Sequence, residues 1–382
     1  MSDAPGVARV LLTTPYDLDV VGGVNSQVWG LYRYLRDTAR LEVRVLGPAS
    51  GRCSWPDPAI VPIGRVSRLR MNGAVSNLTL DLSVGARVRR LLADFAPDIV
   101  HLQEPFAPLL NAFVLRHSRS VNVATFHTCG SNWVGYLLAW PFLRLQLARV
   151  HCRIAVSDTA RRYVGRLFPG PYTLVPNAVD LDWAAGPLTD AAAAGPSSDL
   201  HELLFVGRID EPRKGFAHLV RAYEVLEQQF PGRYGLMVAG PGSERLSAAG
   251  LPGQVRALGR VSNGMLHHLY SRCRLVCAPS VAGESFGLVL LEAFAHGRPV
   301  AAFQIPGYAE LVGAHPVARL VPVGDSRALA AAIAAMCGDP AAYERMSSAA
   351  RELAAAHGWA RIGPRLVELY TAALGGHRRG RG

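Results

Sequence analysis

Two cations and two carboxylates mark the second half of the chain. Arg208 and Lys214 lie in Phe205-Val206-Gly207-Arg208-Ile209-Asp210-Glu211-Pro212-Arg213-Lys214-Gly215, where a strand ends in Gly207 and a helix follows. A guanidinium supplies a planar fork of donors, an ammonium a compact charge, and the unpaired N–H groups of a helix start also face anions. A diphosphate needs such a site, although a solvated basic loop has the same composition. Glu284 and Glu292 lie eight residues apart in Gly283-Glu284-Ser285-Phe286-Gly287-Leu288-Val289-Leu290-Leu291-Glu292. With a helix starting near Ser285, Glu292 falls about two turns inside it, nearly on the side of Glu284. The N–H groups of Ser285, Phe286 and Gly287 then point the same way, and carboxylates there accept from sugar or ribose hydroxyls or merely complement the helix dipole.

The amino-terminal half offers less. Gly22 and Gly23 stand between the first strand and the first helix, where glycine lets backbone approach a ligand phosphate. The dinucleotide fingerprint G-x-G-x-x-G is absent, which argues against a nicotinamide-dependent oxidoreductase. His127 closes the strand Thr125-Phe126-His127-Thr128, in a catalytic or a structural role. Asp17-Leu18-Asp19 and Asp180-Leu181-Asp182 imitate a metal-binding D-x-D, but paired carboxylates in loops are common and no metal site is assigned.

Holding these groups requires a parallel α/β scaffold. Short apolar runs alternate with amphipathic segments: strands at Val7 to Leu12, Glu42 to Leu46, Asp98 to Leu102, Asn122 to Phe126, Arg153 to Val156 and Tyr172 to Val175, with helices at Val24 to Thr38 and Val84 to Phe95. Residues 184–200 lack apolar periodicity and read as a linker. The pattern restarts with strands at Leu203 to Val206, Leu236 to Ala239 and Leu275 to Ala278 and helices at Phe216 to Gln229, Gly264 to Arg272 and Ser285 to His296. Two doubly wound, Rossmann-like domains follow, residues 1–183 and 201–358, with the ligand expected in a cleft between the carboxyl ends of their strands. A terminal helix over 359–376 and a disordered basic tail over 377–382 complete the expected organisation.

The chain has 382 residues, 40 Lys and Arg against 29 Asp and Glu, and a formal charge of +11, so an anionic partner is expected. Phosphorylated substrates and an anionic lipid surface fit; nucleic acid would explain the charge, but no recognised binding module is visible. The six cysteines are scattered in apolar runs and read as reduced, buried thiols. No signal peptide or membrane-crossing run is read, giving a cytoplasmic expectation. Between Asn132 and Arg149, Trp133, Tyr136, Leu137, Leu138, Trp140, Phe142 and Leu143 precede Arg144 and Arg149, as in an interfacial helix or an ordinary core helix.

In combination these stretches resemble glycosyltransferase family 4, and most closely the bacterial phosphatidylinositol mannosyltransferase group. The resemblance runs from Pro15-Tyr16 and Gly22-Gly23 through His101-Leu102-Gln103-Glu104-Pro105, Ala124 to Thr128, Arg153 to Asp158 and Val175 to Asp180, and is densest at Phe205 to Gly215 and Ala278 to Glu292. It implies a GT-B fold, a nucleotide-sugar donor such as GDP-mannose, no further cofactor, and a retaining reaction on a lipid, polyol or soluble saccharide acceptor. Residue by residue, it implies that Arg208 and Lys214 hold the diphosphate beside Gly207, that Glu284 touches the sugar hydroxyls, and that Glu292 holds the ribose. Gly23 would admit the phosphates and His127 would contact the donor sugar. The base is expected against the backbone of Gly259 to Ser262, Val261 among them, and the acceptor near Tyr16, Asp19, Asn25, Asn72 and Asn77. One departure stands out. The lipid mannosyltransferases read Asn-Gly-Ser-Val-Ala-Arg where this chain reads Asn72-Gly73-Ala74-Val75-Ser76-Asn77. The arginine expected to meet an acceptor phosphate is Asn77, with Arg68 and Arg70 nearby, which argues against phosphatidylinositol as the acceptor.

Overall fold

Strand and helix alternate through both halves of the chain in a computed structural model describing residues 7–20, 22–51, 57–71, 74–130, 134–187, 200–248 and 253–379. Asn72, Cys53, Asn132, Trp133 and most of the expected linker lie outside the described residues. The chain divides into two units, Met1–Ala178 with Trp359–Gly382, and Val179–Gly358.

The first unit contains β1 (Arg9–Thr13), α1 (Gly23–Arg33), β2 (Glu42–Gly47), β3 (Ile60–Pro62), β4 (Val66–Met71), β5 (Ala74–Thr79), α2 (Val84–Phe95) and β6 (Ile99–Gln103). It continues with α3 (Leu110–His117), β7 (Val121–Phe126), α4 (Val134–Leu147), β8 (Cys152–Ala155), α5 (Asp158–Gly165), β9 (Thr173–Leu174) and the terminal helix Trp359–Arg379. Seven strands form one parallel sheet in the order β3-β2-β1-β6-β7-β8-β9. Every residue of β6 and β7 is buried, as a strand covered on both faces must be. Strands β4 and β5 pair as a separate antiparallel hairpin, which places Arg68 directly opposite Asn77 and Arg70 opposite Val75. The terminal helix packs Ile362, Leu366, Tyr370 and Leu374 into this unit's core. It extends through Arg379, so His377 to Arg379, expected as tail, form its last turn. Basic side chains suit the negative end of a helix.

The second unit holds α6 (Leu181–Ala185), β10 (His201–Val206), α7 (Phe216–Gln229), β11 (Tyr234–Ala239), β12 (Gln254–Gly259), α8 (Asn263–Arg272) and β13 (Leu275–Ala278). Then come α9 (Leu288–Ala295), β14 (Val300–Phe303), α10 (Pro306–Val312), β15 (Ala318–Val321), α11 (Ser326–Gly338) and α12 (Pro340–Ala356). Its parallel sheet runs β12-β11-β10-β13-β14-β15. From its first strand the order is 3-2-1-4-5-6, that of Rossmann folds. The unit begins earlier than expected because Trp183 packs edge-on against Tyr270 and His296, fastening α6 to α8 and α9.

Two expectations are corrected. The helix expected from Ser285 starts at Leu288, because Gly287, at φ 103°, lies outside the right-handed helical region and so stands as the N-cap. Glu292 is therefore about one turn inside the helix rather than two. Helix α4 is neither wholly core nor wholly interfacial. Leu143, Gln146 and Leu147 are buried and Trp140 donates to the Leu167 carbonyl, whereas Leu137, Leu138, Phe142 and Leu145 are exposed.

Candidate active site

In the second unit, chain crossovers leave β10 on one side towards β11 and β12 and on the other towards β13, so the loops after β10 and β13 emerge side by side. This is the switch point at which open α/β sheets bind ligands. Arg208 to Gly215 form the first loop, and Pro279 to Gly287 the second. The two are locked at Gly215, whose φ is 69° and where an added Cβ would fall 1.8 Å from the Pro279 carbonyl oxygen. The Val281 N–H donates to the Arg213 carbonyl at 2.8 Å, a second backbone tie between the loops.

Across this seam Lys214 Nζ donates to Glu284 Oε1 at 2.6 Å. Arg213 reaches the same oxygen at 3.2 Å with one nitrogen and Glu211 at 2.7 Å with another. Arg208 Nε stands 3.5 Å from Glu211 and 3.9 Å from Asp210. The cluster alternates in sign from Arg208 through Glu211 and Arg213 to Glu284 and Lys214. Glu292, deeper on α9, accepts from the Tyr270 hydroxyl at 2.9 Å. Burial raises its carboxyl to about 7, against the opposing pull of that hydrogen bond and of the Lys214 charge. Such a carboxyl is poised between acceptor and donor near neutral pH. Phe286 is buried and anchors the loop, while Ser285 is half-buried. Gly207 donates its N–H to the Ala239 carbonyl, extending the β10–β11 ladder by one bond. Val261 lies between β12 and the Ser262 cap of α8, two strands away from β10.

The loop after β1 in the first unit is tied by side chains. Asn25 is 4% exposed and spends its amide internally: Oδ1 accepts from Thr14 at 2.8 Å, and Nδ2 donates to the carbonyls of Asp17 and Val20. An amide so committed shapes the loop. Asp19 accepts from the Gly51 N–H, and the Asp17 N–H donates to the Asn77 carbonyl, docking the β4–β5 hairpin on this loop beside Tyr16. Burial raises the Tyr16 hydroxyl well above its ordinary value, with the Glu104 and Tyr136 side chains adding to the effect. Gly22 is extended, with nothing within 4 Å of an added Cβ, and Gly23 opens α1. The D-x-D pairs act locally: Asp17 accepts from the Asp19 and Ser50 N–H groups, and Asp180 caps α6.

His127 follows β7. Its Nε2 lies 2.6 Å from Gln103 Oε1, and its N–H donates to Glu104 Oε1 at 2.6 Å. Burial lowers the imidazole to about 3. Burial also raises the Glu104 carboxyl to about 7, although hydrogen bonds from Thr128 and His127 favour its charged form. Sequence reasoning missed Arg213, Glu211, Tyr270, Gln103 and Glu104 as site residues. Arg213 and Glu211 stood inside the quoted motif, and Gln103 and Glu104 inside another; nothing local pointed from Tyr270 to Glu292.

The fold recurs in solved structures. Sucrose-phosphate synthase of Thermosynechococcus elongatus superposes with a TM-score of 0.75 at 22% identity, covering 95% of this chain and 98% of that one. The Anabaena protein HepE, solved with UDP and glucose, gives 0.74 at 19% identity, covering 96% and 100%. The fold is thus the GT-B fold. Residues 21–183 match the model described as Glycosyltransferase Family 4, and residues 201–339 the one described as Glycosyl transferases group 1. Phosphatidyl-myo-inositol mannosyltransferase of Mycobacterium leprae is 35% identical, over 97% of this chain and 98% of its own. That of Mycolicibacterium smegmatis is 33% identical over 96% and 94%. The chain belongs to glycosyltransferase family 4.

Proposed function

We propose that the chain transfers mannose from GDP-mannose, with retention of configuration, to a lipid or polyol acceptor at the cytoplasmic face of a membrane. The observation that carries this reading is the Lys214–Glu284 contact at the switch point of the second unit. Arg208 and Lys214 would neutralise the departing diphosphate, so that no resident metal or other cofactor is called for. Glu284, already held by Lys214 and Arg213, would keep one oxygen for a sugar hydroxyl. Glu292 would receive the ribose.

In such a reaction the anomeric carbon loses its bond to the diphosphate oxygen and gains one to the acceptor oxygen on the same face. The acceptor's proton passes to the leaving phosphate. The demand on the protein is electrostatic, because charge grows on that phosphate beside an oxocarbenium-like sugar. Gly22 supports a close phosphate approach, since its open surroundings give no packing reason for glycine. The mannosyltransferase relatives support the sugar and a phosphate-bearing acceptor. Arg68 supports the latter too: it is exposed and opposes Asn77 across the hairpin, so both side chains share a face. The exposed leucines of α4, with Arg144 and Arg149, support contact with an anionic membrane. A soluble saccharide acceptor is the alternative outcome.

The test is a hydrolysis and thermal-shift screen across GDP-, UDP- and ADP-sugars, repeated with Arg208→Ala and Glu284→Ala. GDP-mannose should raise the parent's midpoint most and the variants' least. If no nucleotide sugar shifts the parent, or the variants respond as the parent does, the donor site is wrongly assigned.

A further inference from the structure

We propose that Gln103, the last residue of β6, is a positioning residue that fixes the tautomer and orientation of His127, so that His127 meets the donor sugar through a bare Nδ1 as hydrogen-bond acceptor. The proposal rests on the sugar contact that the family resemblance implies for His127. It specifies which nitrogen makes that contact and what holds it there.

Strands β6 and β7 are parallel neighbours with Gln103 opposite Thr125, which brings the residues at their carboxyl ends together. Gln103 Oε1 lies 2.6 Å from His127 Nε2. An amide oxygen only accepts, so Nε2 carries the hydrogen. Because burial holds this imidazole near 3, the ring is neutral at physiological pH and has only that one N–H. The lone pair therefore sits on Nδ1. A ring in this state accepts from a hydroxyl and has no proton to give a leaving group.

The Gln103 amide is oriented from behind. Its Nε2 lies 3.4 Å from His101 Nε2, which is also 2.7 Å from the Thr125 hydroxyl. His101 Nδ1 in turn lies 2.6 Å from the Tyr370 hydroxyl on the terminal helix. Burial keeps His101 neutral as well, at about 3. With the amide in this orientation every bond is satisfied: Gln103 and Thr125 donate to a bare His101 Nε2, and His101 Nδ1–H donates to Tyr370. Reversing the Gln103 amide would aim its hydrogens at His127 Nε2 and require the other tautomer in both rings. Glu104, the next residue, holds the His127 main chain separately. Ring and backbone are thus fixed by two adjacent side chains, which is how a substrate-contacting group is preorganised.

The test is nitrogen-resolved imidazole NMR on the full ¹⁵N-histidine-labelled chain, with His127 assigned through His127→Gln. The parent should show a neutral Nε2–H tautomer from about pH 6 to 8. Gln103→Leu should give mixed tautomers at His127 and lower kcat about tenfold, with a smaller change in donor KM. Gln103→Glu keeps the acceptor. It should restore the Nε2–H tautomer and shift the acid limb of the kcat profile up by about one pH unit or more, because a carboxylate favours the imidazolium. An Nδ1–H tautomer in the parent, or a His127 spectrum and acid limb that neither variant moves, overturns the proposal. If Gln103→Leu does not fold, the parent spectrum and Gln103→Glu decide. The spectra need no substrate, so they judge Gln103 even if the screen above finds no donor.

Discussion

Lys214 and Glu284, 70 residues apart in the chain, meet at 2.6 Å where the loops after β10 and β13 run side by side. Their side chains are 21% and 15% exposed, between the surface and buried regimes of ion pairs. A double-mutant cycle with Lys214→Met and Glu284→Gln should give a coupling of about 1–2 kcal/mol in denaturant unfolding. Additive effects would mean that the contact contributes nothing.

Either cation should matter more to rate than to folding. Arg208→Ala and Lys214→Ala should each lower transfer by about 10²-fold or more while far-UV circular dichroism stays that of the parent, by analogy with other removed anion-stabilising donors. Near-parental turnover in both variants would remove them from the diphosphate site.

Two glycines should separate ligand contact from folding. Gly215→Ala combines a left-handed φ with a Cβ 1.8 Å from the Pro279 oxygen, and should destabilise by more than about 2 kcal/mol. Gly22→Ala has open space and an extended backbone, so its stability should stay within about 0.5 kcal/mol of the parent. Its activity should nonetheless fall through a raised donor KM. Unchanged steady-state kinetics in Gly22→Ala would refute the close phosphate approach.

Acid stability should reveal opposing groups in the first unit. His101 and His127, lowered to about 3, contribute stability that is present above their ordinary value of 6.5 and lost as pH falls. Glu104 is raised from 4.5 to about 7, so its contribution is present below 4.5 and lost as pH rises through 7. Between these values Glu104 offsets one histidine. In Glu104→Gln, acidification from about pH 6.5 to 5 should cost roughly 1 kcal/mol per pH unit more than in the parent. Parallel pH profiles of denaturant unfolding would show that Glu104 is not the opposing group.

The outer face of α4 should carry membrane contact. Leu138 is 82% exposed and Leu145 70%, beside Arg144 and with no acidic residue between Val134 and Arg149. The parent should float with anionic liposomes at low salt, and Leu138→Asp with Leu145→Asp should weaken flotation several-fold without changing the unfolding midpoint. Equal flotation of parent and variant would locate the contact elsewhere; no flotation of the parent would favour a soluble acceptor.

The sequence alone determined the alternation of elements and which loops carry the candidate site residues. Helix bounds at Val84–Phe95 and Phe216–Gln229 and the strand Leu275–Ala278 coincide with the structure because a buried face imposes its period locally. The β4–β5 hairpin escaped notice: its Ser67, Arg68, Arg70, Ser76 and Asn77 supply no apolar run. The late start of α9 escaped too, since Gly287 reads as a spacer until its left-handed conformation is seen. Only the tertiary structure decided which side chains meet. Lys214 with Glu284, Tyr270 with Glu292, and Gln103 with His127 are paired by strand order and register. Those depend on how distant segments pack into one sheet, whereas periodicity reports only which face of a single element leaves water.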